Sequence, residues 1–308
     1  VILCCGEALI DMIPTPTTAG PDGFVPHSGG AVFNTAIALG RLGVQTGMLT
    51  GLSTDMFGRQ LSESLKASHV DTTHVIPSDR PTTLAFVRLV DGHATYCFFD
   101  ENSAGRMLTP ADIPALSPEV SALFFGGISL ACEPSADAYA ALLAQEAAQR
   151  VVMIDPNIRP RFIKDIDRYR ARLDRMVAQA DIVKVSDEDL NWLLPAPLSL
   201  NEKVATLMDT GPSVLILTRG GAGASGFLAD GTEVQVPAQR VDMKDTVGAG
   251  DTFNAGFLAK LSELGCLTKR QLSALSAETL QQAMQHGAKA AAVTVSRAGA
   301  NPPWAEEL

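Results

Sequence analysis

The chain has 308 residues, 46% of them hydrophobic, and a formal net charge of −10. That length suits one large α/β domain or two smaller ones, and the acidic balance disfavours a nucleic-acid partner, which needs a basic footprint. The cysteines, Cys4, Cys5, Cys97, Cys132 and Cys266, are odd in number and form no CxxC pair, so neither a disulfide framework nor a zinc site is indicated.

The opening run VILCC (1–5) is short and apolar and reads as a buried strand. It has no basic flank and meets Glu7 almost at once, unlike a signal peptide. No apolar run reaches transmembrane length. The expectation is a cytoplasmic protein with no membrane partner. PTPTTAGPDGFVPHSGG (14–30) follows, rich in Pro, Gly and Thr. NTAIALGRLG (34–43) is helix-like and TGMLTGL (46–52) is a second apolar strand. TTLAFVRLVDGHATYCFF (82–99) alternates apolar and polar residues around Asp91-Gly92, a hairpin signal. The strand-like runs ALFFGG (122–127), VVMID (151–155), DIVKVS (181–186) and SVLILT (213–218) come next. Between them lie helical patterns at 136–150 and 169–180, and two more close the chain at 249–264 and 277–295. This alternation predicts a mainly parallel sheet covered on both faces. The two segments that break it predict a small antiparallel sheet inserted as a lid.

In such a fold, ligands gather beyond the C-terminal ends of the strands. Polar residues at those ends are Asp11, Asn157, Arg159, Lys184, Ser186, Asp189 and Thr218 with its RGGAG turn. The most informative stretch is DTVGAGDTFNAGFL (245–258). Its small residues let backbone N–H groups share one space at a helix start, where the dipole favours an anion. Asp251 is then either an ordinary acidic first-turn residue or a base placed beside that anion site. SGGAVFNTAIALGRLG (28–43) poses a similar choice. Gly29 and Gly30 allow close backbone approach to a ligand, and Asn34 offers a donor and an acceptor, yet a capped helix has the same look. No GxxxxGK[ST], no GxGxxG after the first strand, no HExxH and no GxSxG occurs, and the five His residues have no metal-ligand spacing. Dehydrogenase chemistry is disfavoured, and phosphoryl transfer without a P-loop is left.

Taken together, these residues resemble the ribokinase-like (PfkB) carbohydrate kinases, from GEALID to SRAGA, with both family signatures in order and TRGGAG between them. The resemblance implies one ribokinase-like catalytic domain over 1–308. Its fold is a three-layer α/β sandwich with a mainly parallel central sheet and an antiparallel β lid inserted at about 12–30 and 82–100. By the resemblance, Asp251 matches the catalytic base, and Gly248, Ala249 and Gly250 match the anion hole. Asp11, Gly29, Gly30 and Asn34 match sugar contacts. Arg159 matches an arginine reaching the sugar or the transferred phosphate, and Phe98 an aromatic lid residue over the sugar. Lys184, Thr218, Gly220, Gly221, Gly223 and His286 match nucleotide-side positions. Ser186 and Asp189 stand where many members carry an Asn-x-x-Glu motif that organises Mg²⁺ through water, and Asp245 matches the carboxylate beside a monovalent cation such as K⁺. The implied ligands are a sugar, ATP and Mg²⁺, and lids of this type pair as homodimers in the family. GEALIDMIP, DPNIRP and VKVSDEDL are most similar to bacterial fructokinases, which convert D-fructose to fructose 6-phosphate. The 2-keto-3-deoxygluconate kinases are the next resemblance, with Arg88, Arg159 and Arg161 available for a carboxylate. A non-catalytic sugar or nucleotide sensor on the same fold is the alternative of a different class, and the intact Asp251 and glycine run speak against it.

Overall fold

The computed structural model describes residues 1–90 and 93–308, and the side chains of 88–96 are outside that description. The Asp91-Gly92 turn and the Arg88 side chain therefore lie outside the described residues.

The apolar runs form the centre of a ten-stranded sheet. In chain order they are β1 (Ile2–Cys5), β4 (Thr46–Ser53), β9 (Ala122–Gly126), β10 (Val151–Asp155), β11 (Ile182–Ser186) and β12 (Val214–Thr218). Their spatial order is β12-β11-β10-β9-β1-β4, with every neighbouring pair parallel. Short strands β5 (Val70–Asp71) and β6 (Val75–Ser78) flank β4, and β13 (Ala224–Leu228) and β14 (Glu233–Val236) extend the other edge antiparallel. These four edge strands lack the continuous apolar run that marks a strand buried on both faces, so the sequence barely announces them.

Because side chains alternate along a strand, each one feeds two cores. Cys4, Met153, Ile182 and Ile216 pack on one side with α1 (Ala31–Arg41), α2 (Met56–Ala67), α7 (Ala249–Glu263) and α9 (Ala277–Val295). Cys5, Ile154, Val183 and Leu217 pack on the other with α3 (Ser135–Glu146), α4 (Ile166–Val177), α5 (Asp187–Leu193) and α6 (Leu200–Met208). A short helix, α8 (Lys269–Leu272), precedes α9. The result is the expected three-layer sandwich. Asp55, Asp165 and Ser276 cap α2, α4 and α9 through their side chains, each supplying an acceptor for an otherwise orphaned N–H.

The segments that broke the alternation form a separate four-stranded sheet, ordered β3-β2-β7-β8. It comprises β2 (Leu9–Thr15), β3 (Gly23–Gly29), β7 (Leu84–Val90) and β8 (His93–Phe99). The pairs β2–β3 and β7–β8 are antiparallel, and a parallel β2–β7 seam joins them. The sheet begins at Leu9, a little earlier than the Pro-rich composition indicates. Asp11, His27, Ala85 and Phe98 sit in register across it and so share one face.

Candidate active site

The small sheet, the C-terminal ends of β1 and β10, and the N-terminal turns of α1 and α7 enclose a cleft of about 850 Å³. It brings together Asp11, Gly30, Asn34, Phe98, Arg159, Lys184, Gly248, Ala249, Gly250 and Asp251, ten of the residues singled out from sequence.

The floor is the start of α7. Gly248 adopts φ 78° as the residue before the helix, a left-handed conformation that favours glycine. The N–H groups of Gly250 and Asp251 find no acceptor among the described residues, so two donors and the helix dipole face the cleft. The Asp251 side chain is 8% exposed. Its Oδ2 accepts from Asn34 Nδ2 at 2.9 Å. Burial pushes its carboxyl up to about 7, partly opposed by that hydrogen bond and raised further by the Asp155 charge. A carboxyl poised near neutrality beside an anion-binding helix start can take a proton while negative charge grows next to it.

Beneath α7 lies a second acid. Asp155 ends β10, and its Oδ2 accepts from Lys184 Nζ at 2.9 Å and from Asn254 Nδ2 at 2.7 Å. Burial pulls the Lys184 ammonium down, but the carboxylates of Asp155, Asp189 and Asp251 more than offset it, and the net shift is upward.

The opposite wall comes from the small sheet and α1. The Asp11 carboxylate has no hydrogen-bond partner among the described residues, and burial raises it to about 6. A Cβ on Gly29 would stand 2.2 Å from its Oδ2, so glycine there makes the room Asp11 occupies. Gly30, at φ 108°, brings α1 against Glu7, and a Cβ on it would meet the Glu7 carbonyl at 2.9 Å. The buried Glu7 carboxylate accepts from Ala31 N at 3.0 Å and Ser129 N at 3.2 Å, which seats the first turn of α1. Asn34 stands one turn on, aimed at Asp251. Phe98 packs its ring on Phe162 with centroids 4.3 Å apart at 75°, joining the small sheet to the loop after β10 across the cleft mouth. In that loop Asn157 has φ 43°, and Arg159 donates to the carbonyls of Asn157 and Ile158. Arg106, ion-paired to Asp100 at 2.8 Å, also lines the cleft.

The remaining predicted residues lie off this cleft. Thr218 pairs in register with Ser186, and the turn Gly220, Gly221, Gly223 follows it on the adjoining sheet edge. Ser186 and Asp189 cap α5 reciprocally. The Asp189 carboxylate is taken up by two backbone donors, Ile158 N at 2.8 Å and Ser186 N at 3.2 Å. This geometry does not present Asp189 as a direct Mg²⁺ ligand. Asp245 accepts from Val247 N at 3.0 Å and Gly299 N at 2.8 Å, tying the loop before α7 to the C-terminal segment. His286, on α9, lines a separate groove with Gln239, Lys260 and Gln285. Burial first, then the neighbouring Lys260 charge, lowers its affinity for a proton.

Sequence reasoning passed over Glu7, Asp155, Arg106, Asn254 and Phe162. Glu7 and Asp155 carried a usable signal, since each is an acid at the C-terminal end of an apolar run. Arg106 and Phe162 had none, because long-range packing alone puts them at the cleft.

A buried carboxylate beside an open helix N-terminus, on a P-loop-free three-layer sandwich, fits an enzyme of phosphoryl transfer. Comparison with known proteins specifies the family. The profile described as "pfkB family carbohydrate kinase" matches residues 1–307, and the chain belongs to that family. It is 52% identical over 281 residues to a fructokinase of Rhizobium leguminosarum bv. trifolii, covering 91% of this chain and 86% of that one. Among solved structures it is similar to a Xylella fastidiosa fructokinase with bound ATP, with TM-score 0.90 and 27% identity over 97% of this chain and 93% of that one. A Vibrio cholerae fructokinase double mutant in fructose, ADP and potassium ion bound form matches with TM-score 0.83 and 26% identity, over 97% and 93% of the respective chains.

Proposed function

We propose that this sugar kinase transfers the γ-phosphoryl of ATP to the primary hydroxyl of D-fructose, giving fructose 6-phosphate. The observation that carries the reading is the Asp251 carboxylate, raised to about 7, in one cleft with N–H groups of α7 and an Asp11 carboxylate that have no partner among the described residues. Asp11 and Asn34 hold sugar hydroxyls, and Gly29 and Gly30 bring backbone close to the ring. The small sheet of β2, β3, β7 and β8 acts as a lid. Phe98 and Phe162 close its edge and exclude water, which competes with the sugar for the phosphoryl group.

Asp251 takes the hydroxyl proton, the acceptor oxygen bonds to the γ-phosphorus, and the bond to the β-phosphate oxygen breaks. Gly248, Ala249, Gly250 and Arg159 offset the charge on the moving group. Thr218, Gly220, Gly221, Gly223 and His286 form the nucleotide side, along the edge next to the cleft. Mg²⁺ would neutralise charge on the ATP phosphates, and Ser186 and Asp189 are the residues that would hold it through water. Asp245 would hold K⁺, in keeping with the potassium named for the Vibrio relative. The T-stacked Phe24, Phe86 and Phe99, with Phe24 47% and Phe99 56% exposed, make the outer lid face the dimer surface.

Arg159, Arg161 and Lys164 line the cleft without an ion pair among the described residues, which favours 2-keto-3-deoxygluconate as the second reading. A coupled ADP-release assay across fructose, 2-keto-3-deoxygluconate, ribose, glucose and adenosine separates them. Fructose is expected to give the highest kcat/KM. A higher value for the keto acid would transfer the reading to it, and no ADP release with any sugar would leave a sensor.

A further inference from the structure

Lys184 was expected on the nucleotide side, yet its ammonium lies at the anion hole. A Cβ built on Gly250 would stand 3.3 Å from Nζ, so the charge sits directly against the helix start that offers its free N–H groups. An ammonium has three donors. Among the described residues only Asp155 Oδ2 accepts from it, at 2.9 Å, which leaves donors for a ligand. The same Oδ2 accepts from Asn254 Nδ2 at 2.7 Å. Asn254 stands three residues after Asp251 on α7, hence on the same helix face. The lysine is thereby referenced to the helix that carries the base.

We propose that Lys184 is a catalytic residue of the anion hole, contacting the phosphoryl group in transfer, and that Asp155 and Asn254 are the positioning residues that aim it. Stability is a poor explanation for this trio. A buried ion pair of this kind is often matched or bettered by apolar residues. Here Asp155 Oδ1 and Asn254 Oδ1 are also buried with no hydrogen-bond partner among the described residues, a cost that a purely structural network would avoid. The glycine turn after Thr218 does not line the cleft, so the lysine and that turn serve different parts of ATP. A compact, fixed ammonium suits negative charge spread over the equatorial oxygens. Lys184 keeps all its protons, and the only proton moved is the one Asp251 takes from the acceptor hydroxyl.

The inference rests on the kinase reading above with Asp251 as base. The test compares Lys184→Met, Asp155→Asn and Asp251→Asn by steady-state kinetics with fructose and by calorimetric ADP titration. Removing one donor of an oxyanion site costs roughly 10²–10³-fold in kcat. Lys184→Met is expected to show that loss with ADP affinity unchanged. Asp155→Asn, which keeps the ammonium but loosens its anchor, is expected to lose about 10-fold in kcat, again without weaker ADP binding. Ethylammonium added to Lys184→Ala is expected to restore part of the rate, which a structural role would not allow. A Lys184→Met enzyme with near-normal kcat and weakened ADP binding would place the lysine on the ground-state nucleotide and overturn the proposal. So would Asp155→Asn with wild-type kcat. If Lys184→Met fails to fold, Asp155→Asn and the rescue experiment decide. Normal turnover in Asp251→Asn would sink the base assignment instead, whatever the lysine variants do.

Discussion

The cleft floor and the sheet edge proposed for the nucleotide are built from similar residue types but wired differently. On the floor, Asn34 bonds to Asp251 across α1 and α7, and Lys184 and Asn254 both bond to Asp155 across β10, β11 and α7. Along the edge, Ser186, Asp189 and Asp245 spend their side chains on backbone N–H groups. The Thr218 hydroxyl likewise donates to the Val185 carbonyl. The floor is thus a fixed set of charges desolvated by burial, while the edge is shaped backbone that a nucleotide can lie along. The floor should hold most of the rate acceleration, and the edge a set of small binding contributions.

The sharpest way to break this contrast is Asp251→Asn. Losing a general base costs about 10²–10⁴-fold, so kcat should fall by that factor while ADP affinity holds. Parallel loss of ADP binding would erase the distinction between floor and edge. Next in size is Asp11→Ala. Hydrogen bonds to a charged group are worth about 1.5–3 kcal/mol, so the fructose KM should rise roughly 10- to 100-fold with the ATP KM unmoved. An unchanged fructose KM would remove Asp11 from the sugar site. At the edge, Thr218→Ala should raise only the ATP KM, by about 2- to 10-fold, as one neutral hydrogen bond allows. A fall in kcat of the size seen at Asp251 would show the two regions to be one.

Stability offers a further contrast. The Asp251 carboxyl keeps its proton in the folded protein up to about pH 7, whereas in the unfolded chain it is released near 3.8. Between those values the native state binds more protons, so this group's contribution to stability falls as pH rises. Asp11, raised to about 6, acts in the same direction. Melting curves should therefore show Asp251→Asn more stable than wild type at pH 8, with the gap closing towards pH 4. An equal gap at both pH values would mean the carboxylate carries no burial penalty.

How much of this could be read in the sequence follows the same division. Strands buried on both faces announce themselves, so β1, β4, β9, β10, β11 and β12 were legible, and so were the glycine-led starts of α1 and α7. The parallel β2–β7 seam was not, because it joins distant segments through backbone pairing that leaves no local pattern. Helix α5 was also hidden. Only Asp189 and Leu190 in it are buried, and its reciprocal cap does more to define it than an apolar stripe does. In the site, Asp251 and Asn34 sit in ordered motifs and were found. Asp155 looked like the end of an apolar run, and Lys184 like a nucleotide contact. What set them apart is the pairing across neighbouring strands β10 and β11 with α7 above them, a relation in space that one-dimensional spacing does not encode.

The central claim is that a buried carboxylate, poised near neutrality, accepts the proton during transfer. The pH dependence of kcat/KM for fructose, at saturating ATP, tests it most directly. The account predicts an acid limb of unit slope that levels off near pH 7, where burial places the Asp251 carboxyl. A profile flat from pH 5 to 8 would contradict it.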